Sequence, residues 1–279
     1  GNNPIIKTYG QELNDQTFAI AKSEALITGG EAANIKLGNT LTQDLFPTER
    51  FNFIMANPPY GTTWKKDLDF VNNESMNPDG RFYAGLPRSS DAQFLFMQHM
   101  LNKMSEKGCR VGIVTSGSPL FTGAAGSGES SIRKWILDND WLECIVALPN
   151  DLFYNTGIGT YIWILTNAKE ARRRGKVQLI DATSFCVPAK KSLGSKRNDI
   201  DTPAVMDIYN SFADGKHSRV FDNNDFCFLE LTVEQPKRDK NNELVLKKGQ
   251  KQPDASKRSI ERLNLNVKDV KTYFESEVL

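Results

Sequence analysis

The chain has 279 residues, 39% of them apolar and 25% charged, with 35 Lys and Arg against 34 Asp and Glu for a formal charge of +1. That is the balance of a water-facing globular chain of one large or two modest domains, and it holds neither a membrane-length apolar run nor a secretion leader. Cys109, Cys144, Cys186 and Cys227 form no Cys-x-x-Cys pair and have only His99 and His217 beside them, which speaks against a zinc cluster or a disulfide framework and for reduced thiols in a cytoplasmic protein.

Residues 5–9 form a short β-rich run closed by Gly10. A helix is predicted over 17–28, with Phe18, Ile20, Ala21, Ala25 and Leu26 near one face, Asn14 or Asp15 as cap and Gly29-Gly30 as stop. Ile35–Leu37 reads as a brief strand. Residues 51–56 are an apolar strand that runs into Asn57-Pro58-Pro59-Tyr60, where the prolines cannot donate to a ladder. Residues 61–90, rich in Gly, Asn, Pro and Ser, predict a long loop of the functional or mobile kind. Asp91 caps a helix that carries Phe94, Leu95, Met97, Leu101 and Met104 at helical spacing up to Gly108.

Residues 111–115 are the next strand. A loop with Gly117, Gly123, Gly126 and Gly128 follows; it lacks the Lys-Ser/Thr of a phosphate-binding loop and reads as a flexible connection before a helix at 130–138. Residues 141–148, Thr160–Thr166 and 177–180 read as strands. Strands alternating with helices predict an α/β sheet with parallel segments. Beyond 185 the pattern weakens, and lysine-rich 235–260 reads as an exposed hairpin or a partly disordered excursion.

Charge is unevenly placed. Residues 1–168 sum to −4, whereas 169–197 hold nine basic and two acidic side chains, a net of +7. Such a run is either a surface that meets phosphates or a solvated loop.

Asn57-Pro58-Pro59-Tyr60 is the motif that carries chemistry. Ligands of open α/β sheets sit beyond the carboxyl ends of strands, and two prolines there hold a carbonyl and the Asn57 amide oxygen in place. Such a pair accepts both protons of a planar amino group, draws the nitrogen lone pair out of conjugation and makes it a nucleophile. Tyr60 offers an aromatic plane for stacking. The pattern suits an exocyclic amine or a carboxamide attacking an electrophilic methyl group, with positioning and charge stabilisation doing most of the work. No strong base is needed, because the proton leaves after the nitrogen becomes cationic. The plain alternative is a strand followed by a proline-rich turn with a tyrosine packed on it.

Several stretches then fall in a familiar order. They are Tyr9-Gly10-Gln11-Glu12-Leu13-Asn14, Leu37-Gly38-Asn39-Thr40-Leu41, Ala56 with the Asn-Pro-Pro-Tyr motif, and Asp91-Ala92-Gln93-Phe94 with Gln98-His99-Met100-Leu101. Gly128-Glu129 with Ile132-Arg133 follows, then Ile145-Val146-Ala147-Leu148-Pro149 with Leu152-Phe153-Tyr154-Asn155-Thr156-Gly157-Ile158. Over residues 5–185 the chain resembles the modification (M) subunit of type I restriction–modification systems, an adenine-N6 DNA methyltransferase.

The resemblance implies a Rossmann-like methyltransferase sheet that uses S-adenosyl-L-methionine, acts on a flipped adenine in duplex DNA, and works with specificity and restriction subunits. It implies that Glu12 binds the cofactor ribose. Asn39 falls where related enzymes often have Asp at the cofactor's adenine, with Asp44 close by as another possibility. Asn57, Pro58, Pro59 and Tyr60 take the target amine. Phe153 or Tyr154 forms the second aromatic wall of the base pocket, shaped by Asn155, Thr156 and Gly157. Outside this context Glu12 reads as a solvated strand-end carboxylate and Phe153 as core. In it, the basic run, Arg172, Arg173 and Arg174 above all, is expected to contact the DNA backbone or a partner.

The family's glycine-rich segment, which lies under the methionine part of the cofactor, has no counterpart in residues 1–8. The sheet is therefore expected to be incomplete at its N-terminal strand, between the strand ending at Tyr9 and the one ending at Ala56. The expected organisation is a partial catalytic domain over 1–185 and an irregular C-terminal extension over 186–279, for specificity-subunit or DNA contacts. As such a fragment the chain is expected to bind S-adenosylmethionine weakly or not at all and to be inactive alone. Near-neutral charge suits a subunit that leaves sequence reading to another. A protein-glutamine N-methyltransferase, with a carboxamide in place of adenine, and an inert scaffold are the alternatives; the 61–90 loop and 142–158 favour DNA.

Overall fold

The first strand, β1 (Gly10–Glu12), pairs in parallel with β2 (Ile35–Leu37), Gly10 opposite Ile35 and Glu12 opposite Leu37. The computed structural model describes residues 6–154, 156–264 and 269–277, so Ile5 lies outside it. The strand starts later than the β-rich run: Tyr9 instead sets its ring 5.3 Å from those of Phe46 and Phe51. Between the two strands runs α1 (Asp15–Ile27), whose cap Asn14 accepts the backbone N–H groups of Gln16 and Thr17. No residue of α1 is buried; Ile20, Leu26 and Ile27 are 60%, 67% and 84% exposed.

In chain order there follow β3 (Phe53–Ala56), α2 (Leu68–Ser75), α3 (Gln93–Asn102), β4 (Arg110–Ser116), α4 (Ser118–Phe121), α5 (Gly128–Asp138), β5 (Leu142–Ala147), β6 (Thr160–Thr166) and β7 (Lys176–Asp181). Then come β8 (Cys186–Leu193), β9 (Lys196–Ile200), α6 (Thr202–Ser211) and β10 (Ser218–Asp222). Six strands form one sheet in the order β10-β7-β5-β6-β4-β3. β3 and β4 are parallel, as are β5 and β7, while β6 runs antiparallel to both β4 and β5. The carboxyl ends at Ala56, Ser116, Ala147 and Asp181 therefore lie along one edge.

Both faces of the middle of this sheet are covered. On one, α3 and α5 bury Phe94, Met97, Leu101, Ile132 and Ile136 against Val111, Ile113, Ile145 and Trp163, each side chain contributing about 1.5–3 kcal/mol. The Trp163 indole meets Phe94 edge-on and donates to Thr115 Oγ1 at 3.1 Å. On the other face, Cys144, Val146 and Ile180 pack with Val205 and Tyr209 of α6. Alternate residues of β5 thus enter different cores, which is why the strand reads as an unbroken apolar run.

β3 is built differently. Ile54 and Ala56 pack onto the first core, but Phe53 and Met55 are 78% and 88% exposed. Among the described residues β3 pairs only with β4, and β1 with β2 stands as a separate two-stranded sheet. The place of the expected mid-sheet strand is open in the described residues.

Two readings need correction. Residues 61–90 hold α2, because Trp64, Leu68 and Val71 recur at helical spacing within polar text; Trp64 and Val71 are buried with Phe82 and Leu95. α3 stops at Asn102, short of Gly108. The weak pattern beyond 185 also conceals real elements. β8 and β9 form a hairpin, and α6 is capped by Asp201, which accepts from the Ala204 N–H. The chain divides into units of residues 1–220 and 221–279. The second holds β11 (Phe228–Val233), β12 (Leu246–Lys247), β13 (Gln250–Lys251), β14 (Ser259–Asn264) and α7 (Val270–Glu277), with β11 antiparallel to β14; within 235–260 lie the short β12–β13 pair, two isolated bridges, a single 3-10 turn at Ala255–Lys257 and the start of β14. No described helix is long and apolar enough to cross a membrane.

Candidate active site

Ala56, the last residue of β3, lies opposite Ile113, and the chain leaves the sheet at Asn57. Pro58 is buried, Tyr60 half-buried, and Asn57 exposed. The Tyr60 hydroxyl donates to Asn57 Oδ1 at 2.7 Å. Burial pushes the phenol's pKa up, so it stays a protonated donor at neutral pH. An amide oxygen has two lone pairs; Tyr60 takes one and aims the other. The tyrosine is thus more than the stacking plane read from the sequence. Behind it, the Thr62 carbonyl accepts the Ala92 N–H at 3.0 Å, tying the corner to the start of α3.

Glu12 closes β1, half-buried. One carboxylate oxygen accepts the Asn14 N–H at 2.9 Å, and its carbonyl accepts the Gly38 N–H at 2.9 Å. Asn39 follows β2 with both ends of its amide engaged: Oδ1 accepts the Leu41 N–H and Nδ2 donates to Asp67 Oδ1, each at 3.0 Å. Asp44 is engaged elsewhere. It holds Lys103 Nζ at 2.6 Å and the Phe46 N–H at 3.0 Å; burial raises its pKa, but these two donors outweigh that and hold it below the carboxylate range. The carboxylate beside Asn39 is Asp67. Sequence reading missed it because it lies 28 residues away in text taken for a loop.

Under Asn39 sits a second group that was missed. Buried Arg81 donates to the carbonyls of Thr40 at 2.7 Å and Leu41 at 3.2 Å, and forks onto Glu74 at 2.6 and 2.7 Å. Its Nη1 also lies 3.0 Å from His99 Nδ1. Burial, and then the Arg81 charge, depress the His99 pKa to about 4. The imidazole is therefore neutral at pH 7 and accepts from Arg81. Arg81 thus fixes the backbone next to Asn39.

At the carboxyl end of β4, Asp91 stands one residue before the α3 cap, which is Ala92, and accepts the Gln93 N–H at 3.2 Å. It also takes Ser118 Oγ at 2.7 Å and Gln93 Nε2 at 2.9 Å. Beyond β5, Phe153 is half-buried against the second core, whereas Tyr154 is 62% exposed. Asn155 lies outside the described residues.

The expectation for the three arginines is corrected for Arg173. Arg173 is 1% exposed, stacks on Tyr209 and Phe212 at 4.2 and 4.3 Å, and donates to Gln178 Oε1 and the Tyr209 carbonyl. Arg172 bonds Glu170 and the Asn210 carbonyl. Lys169 is buried on Asp140, at 2.5 Å. A charge count along the sequence is blind to direction: Lys169 and Arg173 point into the fold, whereas Arg172 and Arg174 are exposed.

A sheet with four strands running one way, β6 reversed between β4 and β5, helices on both faces and an amide corner on its carboxyl edge defines a Rossmann-like methyltransferase domain. The chain belongs to the N-6 DNA Methylase family, whose model matches residues 1–262. It is 32% identical over 252 residues to the type I restriction enzyme HindI methylase subunit of Haemophilus influenzae, covering 89% of this chain and 52% of that protein. It is 31% identical over 228 residues to the MjaVIII methylase subunit of Methanocaldococcus jannaschii, covering 77% and 38%. The solved type I restriction-modification methyltransferase subunit of Streptococcus thermophilus superposes with a TM-score of 0.64 at 26% identity, covering 77% of this chain and 44% of that one. The chain spans about half the length, or less, of these relatives.

Proposed function

We propose that the chain is the catalytic part of a type I modification subunit that methylates N6 of an adenine flipped out of duplex DNA. The observation that carries the reading is the Asn57 amide oxygen at the carboxyl end of β3, aimed by the Tyr60 hydroxyl at 2.7 Å. One N–H of the adenine amine donates to the remaining Asn57 lone pair and the other to a backbone carbonyl fixed by Pro58 and Pro59. The nitrogen lone pair then points at the methyl group, and the ammonium formed releases its proton afterwards. Tyr60 and Tyr154, with Phe153 behind, are the aromatic surfaces that repay the unstacking cost of about a few kcal/mol.

Bound S-adenosylmethionine would supply the electrophilic methyl. The residues in place suit its adenosine half: the Glu12 carboxylate accepts from vicinal hydroxyls, and the Asn39–Asp67 pair offers a donor and acceptors to an adenine edge. The open place beside β3 lies where support for the methionine half belongs. The 279-residue chain alone is accordingly expected to bind S-adenosylmethionine more weakly than about 1 mM. Titration calorimetry checks this, and micromolar binding would contradict it.

Specificity and restriction subunits are the proposed partners, with catalysis over 1–185 and partner or DNA contacts over 186–279. A glutamine carboxamide fits the same corner, but the N-6 DNA Methylase match favours adenine. Modification-sensitive long-read sequencing of DNA from cells with and without the gene tests the reading. N6-methyladenine should vanish from one defined site; an unchanged pattern would bring the protein-substrate and scaffold readings forward.

A further inference from the structure

We infer that the β8–β9 hairpin grips the DNA backbone beside the modified base, with Lys190, Lys191 and Arg197 as the phosphate-contacting residues; this rests on the DNA reading above. Topology places it there. β7 ends at Asp181 on the carboxyl edge of the sheet, one strand beyond β5, and the hairpin starts at Cys186. β5 itself stands three strand spacings from β3, about 14 Å across that edge from Asn57.

The hairpin is fastened to the segment after β5. The Ser195 N–H donates to the Tyr154 carbonyl at 2.8 Å, and the Arg197 and Asn198 N–H groups donate to the Asp151 carbonyl at 2.9 and 3.2 Å. Asn198 Nδ2 reaches the Asn150 carbonyl at 3.2 Å, and Lys196 Nζ lies 5.8 Å from the Tyr154 ring centre. Gly194 turns the chain at φ +58, and a Cβ there would fall 2.3 Å from the Tyr154 oxygen. Only glycine allows so close an approach at that angle. The hairpin and the exposed Tyr154 therefore move as one piece.

Its charge points outward. Lys196 is spent on Asp199 at 2.6 Å. Lys190 and Lys191 are exposed, and among the described residues no ion pair holds them. Arg197 is exposed, and its Nη1 donates only to the hairpin's own carbonyls of Gly194 and Lys196, leaving guanidinium donors for a phosphate. Almost all of β8 faces solvent, so these cations do nothing for the core. Edge lysines also discourage strand addition, but that role carries no dependence on DNA. Of the +7 run, Lys169 and Arg173 are turned inward, and this part is presented.

The test uses the complete enzyme with its partner subunits and duplex DNA carrying the methylated site. Lys190→Ala with Lys191→Ala is expected to weaken binding about tenfold to a hundredfold near 0.1 M salt. It should make the slope of log affinity against log salt shallower by about two, raise KM for DNA and leave kcat unchanged. Arg172→Ala should change neither affinity nor slope. Unaltered affinity and slope in the double variant, or a loss of kcat at unaltered affinity, overturns the inference while the wild type still methylates. A wild type that methylates no DNA overturns the functional reading itself, and this inference with it.

Discussion

Asn57→Ala in the complete enzyme is expected to lower methyl transfer about 10²–10³-fold at saturating DNA, with the cofactor KM unchanged. The amide oxygen meets the amine when charge develops on nitrogen, so its loss falls on the chemical step. Folding is spared: Asn57 is exposed, and exposed substitutions usually stay within about 0.5 kcal/mol. Tyr60→Phe separates aiming from accepting. It keeps the ring but removes the 2.7 Å bond to Asn57 Oδ1, a net hydrogen bond of about 1 kcal/mol, so a loss near fivefold is expected. Single-turnover rates of the two variants decide the matter. More than a tenth of the wild-type rate in Asn57→Ala would refute the role of the amide. Equal losses in both variants would move the phenol into the chemistry.

What was legible in the sequence had local causes. Ile35–Leu37 and Thr160–Thr166 came out with the bounds seen in the fold, because the first alternates apolar and polar residues and the second is a β-branched and aromatic run, each between clear breaks. The Asn57 corner was legible because proline both ends a strand and stiffens the backbone beyond it. α6 was missed in a region whose pattern had faded, although Pro203 near its start is a helix signal. Asp67 and Arg81 were missed for a different reason. Each works on a loop 28 to 41 residues away, and no local period reports such a meeting. The apolar set read on α1 divides in the fold, with Phe18, Ala21 and Ala25 half-buried and Ile20 and Leu26 exposed, and the outer face of β3 is exposed too, since pattern says that a face wants cover and not what covers it.

Arg81→Met is expected to cost about 3–5 kcal/mol of stability, the usual result of removing one partner from a buried ion pair. Arg81 is 8% exposed and its pair with Glu74 is bidentate. The change leaves that carboxylate without its cation and the Thr40 and Leu41 carbonyls without donors. Arg81→Lys keeps the charge but not the fork and should recover only part of the loss. Acid should act on the same cluster through His99. The sign comes from its depressed pKa: between the ordinary 6.5 and about 4 the unfolded chain binds a proton that the folded one refuses. Stability therefore falls as pH drops through that window, by an expected 2–3 kcal/mol or so. Burial raises the Glu74 pKa, but Arg81 outweighs it and holds the carboxyl low, so further stability is lost as pH falls through the carboxylate range. His99→Gln keeps an acceptor for Arg81 and removes the titration. Denaturant unfolding at pH 7 and pH 5 should show a smaller difference in that variant than in the wild type. An equal difference would mean that His99 does not carry the acid sensitivity, and that the cluster holding Asn39 is stable to protonation.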